Sequence, residues 1–271
     1  MQTYTLNCGG RLIDLRKPLV MGILNVTPDS FYASSRNTTE AKIAESALKI
    51  VSEHGDIIDI GACSTRPHST PVSESEEAER LRMALTIVQR ETPDATISVD
   101  TFRPSIARMA VEEFGVHIIN DVSGGEKTDG EDVTPMFREV ARLGVPYVLI
   151  SHESTIRDTL MFFARSVAIL RDLGQKDVLL DPGFGFGKSM EQNYDLLRDM
   201  EKLRCLDLPL LVGLSRKSMI WKSLRVTPEK ALNGTTVLNV IALIKGASVL
   251  RVHDVREAVE AVKLVSDHHL L

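Results

Sequence analysis

Residues 96–120 have the sequence TISVDTFRPSIARMAVEEFGVHIIN, and this stretch shows the repeating unit of the chain. Two short apolar runs, Thr96–Val99 and His117–Ile119, lie on either side of an amphipathic stretch. A continuous apolar run is typical of a strand buried on both faces, and an amphipathic stretch is typical of a helix packed against it. The stretch therefore predicts a strand, a helix and a second strand parallel to the first.

The same unit recurs along the whole sequence. Amphipathic stretches separate most of eight apolar runs, which are Leu19–Leu24, Asp56–Ile60, Thr96–Val99, His117–Ile119, Pro146–Ile150, Asp177–Leu180, Leu208–Leu214 and Ser248–Val252. Parallel strands need such crossovers, so the alternation predicts an α/β protein. An open doubly wound sheet could also hold these strands, but the even spacing favours a closed (β/α)8 TIM barrel.

The predicted helices have apolar stripes and recognisable first residues. One stripe is formed by Ala44, Ala47, Leu48 and Val51, and another by Val255, Ala258, Val259, Val262 and Val265. Ser73 with Glu76, and Asp254 with Glu257, fit capping boxes, which satisfy free backbone N–H groups at a helix start. Thr227 followed by Pro228 is typical of an N-cap with proline in the first helical position.

The segment before the first barrel strand predicts a β-hairpin. Thr3–Leu6 and Arg11–Leu15 flank the pair Gly9-Gly10, and we expect the hairpin to close the floor of the barrel. The rest of the sequence contains no linker, low-complexity segment or change of composition. We therefore expect residues 1–271 to form one domain with a single barrel and an N-terminal β-hairpin.

Composition narrows the possible partners. A net charge of −5 gives no sign of the basic surface that nucleic acid or an anionic membrane would need. Apolar runs are too short for a membrane span, and the start lacks the pattern of a signal peptide. Three cysteines far apart, without a CxxC pair, suggest neither a disulfide framework nor a zinc site. We expect a cytoplasmic protein.

Polar side chains lie where the predicted strands end. They are Asn25, Ser64–Pro67, Asp100, Asn120, Ser151 with His152, Asp181, Ser215 with Lys217, and Arg251 with His253. A closed parallel barrel brings strand ends to one rim, where active sites of this fold lie. Any one of these residues could simply cap the next helix. Together they favour a site, because buried carboxylates and lysines need charged or polar partners.

The glycine-rich stretch GFGFGKS, residues 183–189, is not a nucleotide-binding loop. A Walker A loop has four residues between its glycines, and that spacing from Gly187 places Pro182 at the first glycine position. A dinucleotide loop needs a third glycine where Lys188 stands. We interpret the stretch as bare backbone that a flat ligand can approach. Phe184 and Phe186 are either walls of that site or part of the core.

Seven ordered motifs resemble the dihydropteroate synthase family over essentially the whole chain. They are Met21–Phe31, Ser64–Pro67, Ser98–Thr101, Asn120–Val122, Asp181–Lys188, Ser215–Ser218 and Arg251–Asp254. Part of the first motif is shared with pterin-binding methyltransferases, but the last two blocks favour the synthases. The resemblance implies condensation of 6-hydroxymethyl-7,8-dihydropterin diphosphate with p-aminobenzoate, which gives 7,8-dihydropteroate and diphosphate in folate biosynthesis.

The resemblance also implies a role for individual residues. The pterin would be bound by Asp100, Asn120, Asp181, Lys217 and Arg251, with Arg251 stacked on the ring face. The diphosphate would be bound by Asn25, Arg66, Arg251 and His253, and Asn25 would lie nearest a magnesium ion. The p-aminobenzoate pocket would be shaped by Thr65, Pro67, Phe186, Lys217 and Ser218. Lys217, Arg251, His253 and Arg66 would be the catalytic residues, and a homodimer through late barrel helices is expected.

Three segments depart from the family pattern. Residues 32–35 are Tyr-Ala-Ser-Ser, Gly61-Ala62-Cys63 precedes Ser64, and Ile150-Ser151-His152 replaces a methionine-histidine-methionine sequence. The connection Ser151–Lys176 is about ten residues shorter than is usual in the family. The shortening leaves open a pterin-binding protein without turnover. A pterin-dependent methyltransferase is a third possibility, which the Arg251 and His253 pair argues against because that chemistry has no diphosphate to hold.

Overall fold

The computed structural model describes residues 4–26, 36–63, 72–125 and 133–268. Its strands are β1 (Thr5–Cys8), β2 (Arg11–Asp14), β3 (Leu19–Asn25), β4 (Ile57–Gly61), β5 (Thr96–Asp100), β6 (Ile118–Asp121), β7 (Tyr147–Ile150), β8 (Val178–Asp181), β9 (Leu210–Val212) and β10 (Ala247–Val252). Its α-helices are α1 (Arg36–Ser52), α2 (Glu74–Glu91), α3 (Pro104–Phe114), α4 (Pro135–Leu143), α5 (Ile156–Asp172), α6 (Met190–Asp199), α7 (Ser218–Leu224), α8 (Leu232–Ile244) and α9 (Val255–Asp267). Two 3-10 helices span Met200–Leu206 and Pro228–Lys230.

Strands β3 to β10 form a closed parallel barrel, which confirms the predicted fold and excludes the open sheet. Strand β10 pairs with β3 and with β9, so the barrel has no free edge. A row of paired residues crosses four strands at the carboxyl-terminal rim: Asn25, Gly61, Asp100 and Asn120. Asn25, Asp100 and Asp181 are the last residues of their strands, which confirms the prediction that polar residues end the strands.

The N-terminal hairpin closes the opposite end of the barrel, as predicted. Strands β1 and β2 pair in antiparallel register around Gly9 and Gly10, which both have positive φ values. Leu6, Cys8 and Leu15 are buried with an inward-facing layer from the barrel strands: Met21, Ile57, Ile118, Val148, Leu179, Leu211 and Val249. His117 accepts a hydrogen bond from the Ile97 amide at this end, which agrees with a structural role.

The predicted helix starts are confirmed in part. The Ser73 hydroxyl accepts a hydrogen bond from the Glu76 amide at the start of α2. The predicted capping box at Asp254 is wrong, since its carboxylate forms an ion pair with Arg216 instead of capping α9. Thr227 and Pro228 do begin a helix, but it is a single 3-10 turn. A full capping box occurs at Ser189 and Gln192, where the sequence analysis had considered only the glycines.

Candidate active site

Arg251, on β10, lies between two buried carboxylates. Its Nε donates to Asp59 Oδ2 at 2.7 Å, and its Nη2 donates to Asp100 Oδ2 at 2.6 Å. The Asn120 side-chain amide donates to the same Asp59 oxygen at 3.1 Å. The other Asp59 oxygen, Oδ1, is buried and has no hydrogen-bond partner within the described part of the chain. Strands β4, β5, β6 and β10 thus contribute to one hydrogen-bonded cluster.

Burial and the neighbouring charges shift the pKa values of Asp100 and Arg251. Burial raises the pKa of Asp100 to about 7, against the opposing charge of Arg251 and with help from the negative charge of Asp59. Burial alone would lower the pKa of Arg251, but the carboxylates of Asp59 and Asp100 raise it above its ordinary value. Arg251 is therefore a permanent cation, while Asp100 can exchange a proton near neutral pH.

Asp59 was missed by the sequence analysis. It lies inside the predicted apolar run Asp56–Ile60, whereas the predicted site residues lie at the ends of such runs. The available signal was a carboxylate in the middle of a strand expected to be buried on both faces. Asp59 is completely buried, and an ion needs a partner in such an environment.

Asp181, the last residue of β8, and Lys217, which follows β9, are two further residues of opposite charge at this end of the barrel. Burial lowers the pKa of Lys217 to about 8, although the charge of Asp181 opposes the shift. Burial likewise raises the pKa of Asp181, and the charge of Lys217 opposes it. Asp181 Oδ1 accepts a hydrogen bond of 2.8 Å from the Gly183 amide, and Lys217 Nζ donates to the Phe184 carbonyl oxygen. Asp181 at the end of β8 and Lys217 after β9 lie at the same end of the barrel as Asp100 and Asn120, and the positive charge of Arg251 lowers the pKa of both residues.

The two phenylalanines of the glycine-rich loop have different surroundings. Phe184 is fully buried in the hydrophobic core, so the core interpretation holds for it. Phe186 is half-buried, and Lys217 Nζ lies 4.7 Å from its ring centroid. Gly183 has a φ of +72°, and a Cβ there would overlap the Ser151 carbonyl oxygen. Only glycine therefore permits this close approach of the loops after β7 and β8.

Lys188 fastens the same two loops and was not predicted as a functional residue. Its Nζ donates to the Gly183 carbonyl at 2.8 Å and to the Ser151 carbonyl at 3.2 Å. Burial lowers the pKa of Lys188 to about 8, against the attraction of Asp181 and Glu153. In the sequence, Lys188 argues only against a dinucleotide loop, because a lysine that bonds to backbone carbonyls has no characteristic spacing.

The remaining predicted residues lie at the rim or outside the described residues. Asn25 is exposed at the end of β3, and its side-chain oxygen faces Gly61 next to Asp100. His253 is exposed after β10, and its amide donates to the buried Ser215 hydroxyl at 3.2 Å. Ser218 begins α7. The predicted Thr65, Arg66 and Pro67 are outside the described residues, so the structure does not test their positions.

Known proteins resemble the chain over nearly its whole length. The family model described as "Pterin binding enzyme" matches residues 21–253. The dihydropteroate synthase of Escherichia coli strain K12 is 35% identical over 271 aligned residues, which cover 94% of this chain and 93% of the relative. That of Clostridium beijerinckii is 36% identical and covers 90% of this chain and 92% of the relative. The chain belongs to the pterin-binding enzyme family.

Solved structures of pterin-binding enzymes have the same fold. The dihydropteroate synthase of Xanthomonas albilineans with 4-aminobenzoic acid has a TM-score of 0.88 and 35% identity, and 99% of each chain is covered. That of Coxiella burnetii in complex with pteroic acid has a TM-score of 0.84 and 32% identity, and 98% of each chain is covered. The family predicted from the sequence is therefore confirmed, and the four relatives named above are dihydropteroate synthases.

Proposed function

We propose that this chain is a dihydropteroate synthase, a transferase that joins the pterinylmethyl group of 6-hydroxymethyl-7,8-dihydropterin diphosphate to p-aminobenzoate. Its products would be 7,8-dihydropteroate and diphosphate. The proposal rests on the hydrogen-bonded cluster of Asp100, Asn120 and Arg251 at the barrel rim, which also carries Asp181 at the end of β8 and Lys217 after β9. The synthase relatives support the same activity.

The pterin would bind among these side chains. Its amino and oxo edge carries adjacent donors and acceptors, which suit the carboxylate of Asp181 and the ammonium of Lys217. Asp100 and Asn120 would bind other polar atoms of the ring. A guanidinium held at two edges by carboxylates is fixed in its plane, so Arg251 could stack its face on the pterin.

The second substrate would bind beside Phe186. The half-buried phenylalanine ring offers an apolar surface, and Ser218 lies at the start of the neighbouring helix α7. Thr65 and Pro67 would complete this pocket. The amine of p-aminobenzoate is an aniline nitrogen and is neutral at physiological pH, so its attack needs no strong base. The main task of this part of the site is to hold the nitrogen in line with the methylene carbon.

The diphosphate would lie near Asn25, Arg66, Arg251 and His253, where cationic groups could stabilise the negative charge of the leaving group. Among the described residues, no group of three His, Cys, Asp or Glu side chains could hold a metal ion by itself. The exposed amide oxygen of Asn25 nevertheless suits magnesium, which prefers oxygen ligands and is often bound mainly by substrate phosphates. Bound there, magnesium would supply further positive charge to the leaving group.

The proposed reaction proceeds by early departure of the leaving group. Arg251 and the other cationic residues would stabilise diphosphate as its bond to the methylene carbon breaks. The electron-rich reduced pterin would delocalise the positive charge that remains on its methylene carbon. The p-aminobenzoate nitrogen then forms the new bond and releases a proton.

A reaction assay with single omissions tests the function. We expect the purified chain to release diphosphate and form dihydropteroate only when pterin diphosphate, p-aminobenzoate and magnesium are all present. Chelation with EDTA should lower the rate at least about tenfold, and added magnesium should restore it. Binding of pterin diphosphate without the release of free diphosphate would instead support a pterin-binding protein without turnover. Methyl transfer from a reduced folate to a corrinoid protein, without diphosphate chemistry, would support the methyltransferase.

We further propose a cytoplasmic homodimer. The described helices include none with both the length and the apolar character needed to cross a membrane. Cys8, Cys63 and Cys205 are all free, as expected in a reducing compartment. Large apolar side chains are exposed on the late helices, namely Leu224 on α7 and Val237 and Ile244 on α8. Such exposed apolar groups are consistent with a surface that is covered in an assembly.

Sedimentation equilibrium tests the dimer. The wild-type chain should have twice the mass of one chain, whereas the double variant Val237→Glu and Ile244→Glu should have the mass of one. Each glutamate would introduce a like charge into both copies of a twofold interface. Leu12→Glu is the matched control, because Leu12 is also exposed but lies on the N-terminal hairpin. A monomeric wild-type chain would contradict the proposed assembly.

A further inference from the structure

Three loops of the barrel rim meet at His152, which follows β7. Its Nε2 lies 2.8 Å from the Val122 carbonyl oxygen in the loop after β6. Its ring stacks on Phe186 in the loop after β8, with 5.5 Å between ring centroids and 6° between ring planes. The imidazole therefore has one edge attached to one neighbouring loop and one face against the other.

The hydrogen bond to Val122 determines the tautomer of the neutral His152 ring. A carbonyl oxygen can only accept, so Nε2 must carry the proton and Nδ1 is the acceptor when the ring is neutral. The bond restrains rotation of the ring, and the nearly parallel stacking with Phe186 adds an attractive contact. His152 thus has a defined orientation although it is largely exposed.

The backbone beneath the two rings is held by separate contacts. The Ser151 carbonyl, one residue before His152, and the Gly183 carbonyl, three residues before Phe186, both accept from Lys188 Nζ. The Ser151 amide also donates to the Asp181 carbonyl at 2.9 Å. The stack is therefore built on fixed strand ends. The ring of His152 is oriented by the stack and by the bond to Val122, and the ring of Phe186 contacts both His152 and Lys217.

The stack leads directly to a proposed substrate contact. Phe186, which His152 contacts, also has Lys217 Nζ 4.7 Å from its ring centroid. Only three residues, Glu153, Ser154 and Thr155, separate His152 from α5. A short connection of this kind offers few other side chains to support Phe186 from the β7 side.

We propose that His152 is a positioning residue that fixes the ring of Phe186 as the wall of the p-aminobenzoate pocket. The inference rests on the proposed function and extends it to a residue that differs from the family pattern. His152 acts through Phe186 and needs no contact with substrate. Its loss should therefore weaken binding of p-aminobenzoate much more than it slows turnover.

Steady-state kinetics of His152→Ala test this role. We expect KM for p-aminobenzoate to rise between about twofold and tenfold, the range that one aromatic stacking contact supports, while kcat changes by less than about twofold. KM for the pterin diphosphate should stay within about twofold of wild type. His152→Phe keeps an aromatic face without the hydrogen bond and should restore part of the p-aminobenzoate affinity. His268→Ala, at an exposed histidine after α9, is the matched control and should leave all constants unchanged.

A double-mutant cycle with Phe186→Ala gives a second readout. If His152 acts through Phe186, His152→Ala should have little further effect on KM once Phe186 is absent. Additive effects, or an unchanged KM in His152→Ala, would overturn the inference. A parallel fall of kcat and thermal stability without a change of KM would also overturn it, because a purely structural role predicts that pattern. Absence of turnover in the wild-type chain would instead refute the proposed function, which makes the two failures distinguishable.

Discussion

Arg251→Ala is expected to lower kcat/KM at least about tenfold, equivalent to about 1.4 kcal/mol of transition-state stabilisation, and to destabilise the folded chain. The activity falls because the variant loses the cation proposed to bind both pterin and diphosphate. The fold is weakened because Asp59 and Asp100 lose the guanidinium that lies between them. Removal of one partner from a buried ion pair typically costs about 3–5 kcal/mol. Steady-state kinetics and urea unfolding at neutral pH measure the two effects.

A second substitution separates the two roles of Arg251. Adding Asp59→Asn to Arg251→Ala removes one of the uncompensated charges, so part of the lost stability should return. The activity should not return, because the missing cation is still absent. Lys245→Ala is the control for removal of a cation, since Lys245 lies outside the rim and pairs with Glu201. Wild-type activity in Arg251→Ala would contradict the proposed site.

Lys217→Ala is expected to lower turnover at least about tenfold, and the pH profile should show why. Because the pKa of Lys217 is lowered to about 8, its ammonium loses the proton as the pH rises through about 8. The proposed contacts to the pterin need the charged form, so kcat/KM of the wild-type chain should fall in that range. The same shift makes the folded chain more stable as the pH rises from about 8 towards the ordinary lysine value of 10.5.

Lys217→Arg provides the matched test of this pH dependence. An arginine stays protonated throughout the alkaline range, so the fall near pH 8 should disappear even if the overall rate is lower. Lys188 also has a pKa lowered to about 8, and Lys188→Met is therefore measured in parallel. Persistence of the fall in Lys217→Arg, together with its loss in Lys188→Met, would assign the titration to Lys188 instead.

The barrel could be predicted because its strands are buried on both faces. Runs such as Tyr147–Ile150 are continuously apolar, and only a few arrangements of parallel strands bury such runs completely. The rim residues could be predicted because the fold itself gathers strand ends. Asp100, Asn120, Asp181 and Arg251 were all predicted in this way, and hydrogen bonds join Asp100 to Arg251 and Asn120, through Asp59, to the same arginine.

The partners of these residues could not be predicted in the same way. Asp59 and Arg251 form an ion pair across 192 positions of sequence, and no local pattern encodes such a contact. The capping prediction at Asp254 failed for a related reason. Arg216, 38 positions earlier, holds both carboxylate oxygens of Asp254 at 2.8 Å and so competes with the local backbone. Long-range charge pairing thus overrode a local preference.

The N-terminal hairpin limits access to the site to the rim end of the described barrel. In the described part of the chain, Leu6, Cys8 and Leu15 pack against the inward-facing residues at the lower end of the barrel, so this end is filled with side chains. A substrate that enters the site between the rim loops would also leave between them. The same end of the barrel would therefore admit p-aminobenzoate and release diphosphate and dihydropteroate. The residues of the rim would then determine the order in which these molecules bind and dissociate.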